Sequence, residues 1–175
     1  MKSDRNLDAE TAESISSYAD AAAKMLGVDR VDSSPLEIVS AINRWMNAAQ
    51  KEGLPALQAD DELSADAKLG NGKNDKDAHA NELAYHIGSL WGEQLVRELD
   101  WQWAFVVFEH RPDMDVAGVF SPDRSLAIYP LNFVFHCLAD GNPVTVLKAF
   151  EILREGSRVP PLPPGGYENV MDHVH

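Results

Sequence analysis

A change of hydrophobic period between residues 83 and 108 constrains the fold more than any other feature of the sequence. Leu83, Ile87, Leu90, Trp91, Leu95 and Leu99 recur at three- and four-residue spacings, which gathers them on one face of a helix of roughly five or six turns. Directly after it, Trp101, Trp103, Phe105 and Val107 alternate with Ala104, Val106 and Phe108. Period two with apolar residues at every position predicts a strand covered on both faces. Arg111-Pro112-Asp113 is turn chemistry, Val116 to Phe120 a second strand, Ser121 to Ser125 another turn, and Leu126 to Tyr129 a third strand, so an antiparallel meander of three strands is expected. The apolar run Leu131 to Leu138 fits helix or a fourth strand, and helix is the expected state. The class is therefore α+β.

The long helix carries Ala84, Gly88 and Gly92 on its other stripe. Each glycine inside a helix costs about 1 kcal/mol against alanine, so close approach of another backbone is expected there.

Two helices precede this region. Ile15, Tyr18, Ala22, Met25 and Leu26 share one face of a first helix ending near Gly27, with Asp8, Glu10 and Glu13 near its start. Ser34, Pro35 and Glu37 supply an N-cap, a first-turn proline and a first-turn acid for a second helix with Leu36, Val39, Ile42, Trp45, Met46 and Ala49 on its apolar stripe, ended by Gly53 and Pro55. The two are expected to form a helical hairpin over residues 1–59. Residues 60–77 lack an apolar period and read as a flexible connector, residues 78–156 as the α+β core, and residues 157–175 as an extended tail around Pro160-Pro161-Leu162-Pro163-Pro164. Pro143 is expected to launch the last helix, through Val146, Leu147, Phe150 and Leu153 to Gly156.

Composition limits the function. The 175 residues hold 28 acids against 15 lysines and arginines, a formal charge of −13, which argues against a phosphate-backbone surface. No apolar run approaches the roughly 20 residues needed to cross a bilayer, and the N-terminal segment does not read as a secretion signal, so a cytoplasmic location is expected. Cys137 is the sole cysteine and reads as a buried, inert thiol; its neighbour His136 points elsewhere on either a helix or a strand.

Glu109, His110, Asp113 and Asp115 form the densest polar cluster and could serve as acid/base groups or metal ligands, but turn chemistry explains the aspartates and alternation separates Glu109 from His110. His79, Glu82 and His86 lie along the start of the long helix, where a surface Glu82–His86 ion pair is the expected reading. His173 and His175 are expected in a solvated end. No nucleophile elbow, phosphate-binding loop or dinucleotide fingerprint is present in the sequence. The aromatic block from Trp91 to Phe135 could line a ligand pocket, but most of it reads as core, with Trp45 and Tyr167 outside it as candidate exposed anchors.

The run from Gly88 through Gly-Ser-Leu-Trp-Gly-Glu-Gln-Leu-Val-Arg-Glu-Leu-Asp-Trp-Gln-Trp, Phe120-Ser-Pro-Asp-Arg-Ser and Ile128-Tyr-Pro-Leu-Asn-Phe-Val to Ala139 resembles small bacterial immunity-type proteins and related domains of unknown function. That resemblance implies an acidic, cytoplasmic, non-enzymatic α+β protein and transfers no binding residue; no cofactor is expected. With the net charge, it leads to an expected protein-binding module: an immunity or antitoxin-type inhibitor of a basic toxin domain, contacting it through Asp60, Asp61, Glu62, Asp113, Asp115 and Asp123 with Trp45 as anchor. The alternatives are an acidic secretion chaperone or adaptor, and a metal-dependent enzyme using Glu109, His110, Asp113 and Asp115.

Overall fold

The computed structural model describes residues 2–55 and 75–175. Strand β1 (Lys2–Asn6) leads into helices α1 (Ala9–Leu26), α2 (Pro35–Glu52) and α3 (Asp75–Leu99). Strands β2 (Gln102–Phe108), β3 (Arg111–Phe120) and β4 (Leu126–Ile128) follow, then α4 (Pro130–Asp140), α5 (Val146–Glu155), β5 (Glu168–Asn169) and a 3-10 turn over Val170–Asp172. This is an α+β chain.

The helices start and stop where local chemistry dictates. Asp8 caps α1, its side chain accepting from the Thr11 amide, and Gly27 ends the helix in the left-handed region at φ 67°. Ser34 and Glu37 form a reciprocal capping box ahead of Pro35 on α2. Asp100, at φ 57°, turns the chain from α3 into β2 within two residues. The run 131–138 lies within α4, closed by Gly141. Helix α5 begins at Val146 behind Thr145, so Pro143 stands in the preceding loop rather than in the first turn. A Gly-Asn-Pro sequence favours a loop over an immediate helix, because the residue before proline is held away from helical geometry.

The sheet runs β1-β2-β3-β4-β5. It keeps the expected antiparallel β2-β3-β4 meander and gains a strand at each edge, one of them parallel. β1 pairs antiparallel with β2, Arg5 opposite Phe105, and β5 pairs parallel with β4. Neither extra strand has an apolar alternation: Lys-Ser-Asp-Arg-Asn and Glu-Asn are edge segments that face water on one side. β3 starts at Arg111, earlier than the turn chemistry implies, with a register shift between Val107 and Phe108.

One face of the sheet carries the main core, in which α1, α2, α3, α4 and α5 share a continuous set of buried side chains with Trp101, Val119 and Ile128. α1 packs chiefly on α3 rather than on α2. The two glycines of α3 let α4 and β2 approach it closely. A Cβ on Gly88 would lie 2.9 Å from the Leu131 Cα at the start of α4, and one on Gly92 would lie 2.1 Å from Cζ2 of Trp103. The first meets the expected backbone, the second an indole ring.

The outer face of the sheet carries a small cluster of Ala104, Val106, Phe120 and Ala127, closed over by Tyr167. The Tyr167 hydroxyl donates to Asp4 Oδ1 at 2.6 Å, and Arg124 Nε donates to Asp4 Oδ2 at 3.0 Å. Tyr167 is therefore buried, not an exposed anchor. Nor does the tail stay at the surface: Tyr167, Val170, Met171 and Val174 are all buried, because these apolar residues reach the sheet edge that the proline-rich stretch leads to. His173 pairs with Glu168 at 2.7 Å.

Candidate functional site

The helices leave part of one sheet face uncovered. α3 and α4 cover Trp103 and Val119, but Phe105, Asp115 and Ala117 farther along the same face form the floor of a groove of about 580 Å³. Its walls are one stripe from each of three helices: Thr11, Ser14, Ile15 and Tyr18 of α1; Asn81, Ala84 and Tyr85 of α3; Leu131, Asn132, Phe135 and His136 of α4. Three- and four-residue spacing is what brings each set onto one helical face. Met114, 43% exposed, stands at the rim.

Aromatic contacts organise the walls. Tyr18 and Tyr85 stack with centroids 5.5 Å apart, and His86 meets Tyr18 edge-on at 5.1 Å. His86 is buried, its Nδ1 2.8 Å from the Glu82 carbonyl oxygen, so the expected surface ion pair with the Glu82 carboxylate is replaced by a helix-internal contact. On the floor, the Arg5 guanidinium lies 4.3 Å above the centre of the Phe105 ring and ion-pairs with Asp115. The register explains this: Arg5 opposes Phe105 on β2, and Asp115 opposes Val107 one pleat along the same face.

Acids border the groove on every helix. Glu10 stands one turn before Ser14, Asp77 one turn before Asn81, and Asp140 one turn after His136, whose Nδ1 it meets at 2.6 Å. The groove thus combines apolar and aromatic walls, the amides of Asn81 and Asn132, and an acidic border.

The residues singled out from sequence fare unevenly. Asp115 reaches the groove floor. Asp113 is exposed near the start of β3. Asp123 shapes the β3–β4 turn: its carboxylate accepts from the Ser125 amide and from the Ser121 and Ser125 hydroxyls, at 2.8–3.0 Å, and these bonds hold its pKa below the usual value. Trp45 is half-buried against the main core. Asp60, Asp61 and Glu62, with most of the connector, lie outside the described residues, and the connector's last three residues, 75–77, belong to α3. Glu109 and His110 are exposed at the β2–β3 turn, and among the described residues no three His, Cys, Asp or Glu side chains are grouped to hold a metal ion. Cys137 is buried, which pushes its thiol up to about 12, and its Sγ lies 3.6 Å from the Pro143 carbonyl oxygen. The groove residues Tyr18, Tyr85, Asn81 and Asn132 were missed. Phe105 and Phe135 of the aromatic block do line it, and Tyr85 and Asn81, polar or amphipathic on a stripe of their own beside the apolar one, are a further sequence trace of it.

Comparison with family models, with curated proteins and with solved structures found no match for the chain. Among the described residues, no helix is long and apolar enough to cross a membrane.

Proposed function

We propose that this chain is a protein-binding module that takes a basic segment of a partner protein into the groove between α1, α3, α4 and the sheet, and that it acts as an immunity-type inhibitor of a basic toxin domain rather than as an enzyme. The observation that carries this reading is an aromatic groove with an acid beside it on each of its three helices. Tyr and other aromatic side chains supply large contact area at low entropic cost, and acids at the border speed encounter with a cationic partner and select against anionic ones. The net charge of −13 acts in the same sense over longer range.

The test is protection from a toxin encoded beside this gene. Co-expression of the intact chain is expected to restore growth, and the double substitution Tyr85→Ala, Phe135→Ala to remove that protection while circular dichroism keeps its helical signature. Absence of protection by the intact chain, or full protection by the folded double variant, refutes the assignment.

A further inference from the structure

The groove already holds a guanidinium, and it belongs to the chain itself. Arg5 sits on the edge strand β1, over the Phe105 ring and against Asp115, with its side chain about half exposed at 49%. A planar cation over an aromatic face with a carboxylate at its edge is the arrangement by which proteins recognise arginine. Both recognising groups line the groove, and Arg5 reaches them from the neighbouring strand β1.

We propose that Phe105 and Asp115 form an arginine-recognition subsite, filled by Arg5 in the free chain, and that an arginine of the partner protein takes the subsite by displacing Arg5. This rests on the groove being the binding surface, and it names what the partner must present there. Displacement is inexpensive because the resident pair is exposed, and exposed ion pairs contribute little to stability. Arg5 also has somewhere to go: its stem leaves an edge strand, on whose far side no strand pairs among the described residues. The incoming arginine gains what Arg5 lacks, since its flanking residues lie along the walls formed by Tyr18, Tyr85 and Phe135. Arg5 therefore acts as a tethered competitor, present at the high effective concentration that a short covalent link imposes. A basic side chain of the wrong shape is rejected, because a lysine ammonium cannot stack its charge flat on the ring or bridge both carboxylate oxygens.

The experiment is an NMR titration of the full chain with acetyl-arginine methylamide, read at the Met114 methyl and the Phe105 ring. Arg5→Gln is expected to bind the probe about tenfold more tightly than the intact chain, and adding Asp115→Asn to it to cancel that gain. Acetyl-lysine methylamide is expected to bind Arg5→Gln at least about fivefold more weakly than the arginine probe. Arg5→Lys keeps the strand's charge while losing the planar stack, so it is expected to tighten binding by a smaller factor and serves if Arg5→Gln loosens β1. Equal affinity of the intact chain and both Arg5 variants, or an unchanged affinity on adding Asp115→Asn, overturns the subsite. The titration uses no toxin, so it stands or falls separately from growth protection. A toxin that binds through the groove with the same affinity to the intact chain and to Arg5→Gln would leave the protective function intact and remove this inference alone.

Discussion

Replacing Gly92 by alanine tests whether α3 lies against the sheet at the distance described. On helix propensity alone the change stabilises by about 1 kcal/mol. Against that, the new Cβ would stand 2.1 Å from Cζ2 and 2.7 Å from Cη2 of Trp103, where carbon atoms at rest keep about 3.5–4.0 Å. The ring or the helix must therefore retreat by more than about 1 Å. The indole is rigid and sits on β2 between β1 and β3, so the strain falls at the upper end of the roughly 1–3 kcal/mol typical of overpacking. The net expectation is a loss of about 2 kcal/mol, or a fall in Tm of roughly 4–8 °C for a chain of this size. Urea denaturation followed by circular dichroism measures it. Trp103→Leu removes the obstructing ring, so in that background Gly92→Ala is expected to be neutral or stabilising, and the two substitutions couple strongly. A Gly92→Ala variant as stable as the parent, or one whose loss persists unchanged beside Trp103→Leu, would refute the packing argument.

Three further outcomes are expected. Cys137, buried and with its thiol pushed up to about 12, should resist iodoacetamide at pH 8 in the folded chain and react once urea unfolds it, because only the thiolate attacks. Ser34→Ala should cost about 1 kcal/mol by removing one half of the capping box on α2, measured by thermal unfolding. Tyr167→Phe should destabilise in a pH-dependent way. Burial, then the hydrogen bond to Asp4, raises the phenol from 10.0 to about 12, so its contribution is complete below pH 10 and is lost as the pH climbs from 10 toward 12. Asp4 works at the other end. Burial raises its carboxyl, but hydrogen bonds from Tyr167 and Arg124 and the Arg124 charge outweigh that and leave it below 3.8; its contribution is present above that value and is lost as the pH falls through the lower folded pKa. The stability gap between parent and Tyr167→Phe should therefore be flat near neutral pH and close above pH 10; a gap independent of pH up to 12 contradicts the network.

The parts of the fold carried by local signals were legible in the sequence. The switch of period at Leu99, the Ser34 to Glu37 cap and the glycines at 27 and 156 each act within a few residues, so the sequence shows both cause and effect. β1 and β5 were not legible because nothing within them favours a strand: they become strands only when β2 and β4 supply the hydrogen bonds, and those partners lie far away in the chain. The same reason hid the groove. Asp115 looked like one member of an acidic turn, yet its significance comes from Arg5, 110 residues away, and from Phe105 on the intervening strand. Tyr167 was misjudged because the tail's composition speaks of proline, while its burial is decided by the outer face of a sheet it does not otherwise resemble. Spacing rules find the elements, and long-range pairing finds the site.

The contact between Asp4 and Tyr167 spans 163 residues, and that separation sets an order of assembly. On the ribosome β1 is made before its antiparallel partner β2, which follows α1, α2 and α3, and Tyr167 comes only after α4 and α5. Arg124 arrives between these two points, so until Tyr167 follows Asp4 lacks one of the two groups that hold it, and closing so long a loop early would cost entropy with little return. The helices can settle on one another beforehand through contacts closer in sequence. Strand β1 is thus made before its partners yet is among the last of these elements to be fixed, and a truncation that removes Tyr167 is expected to release β1.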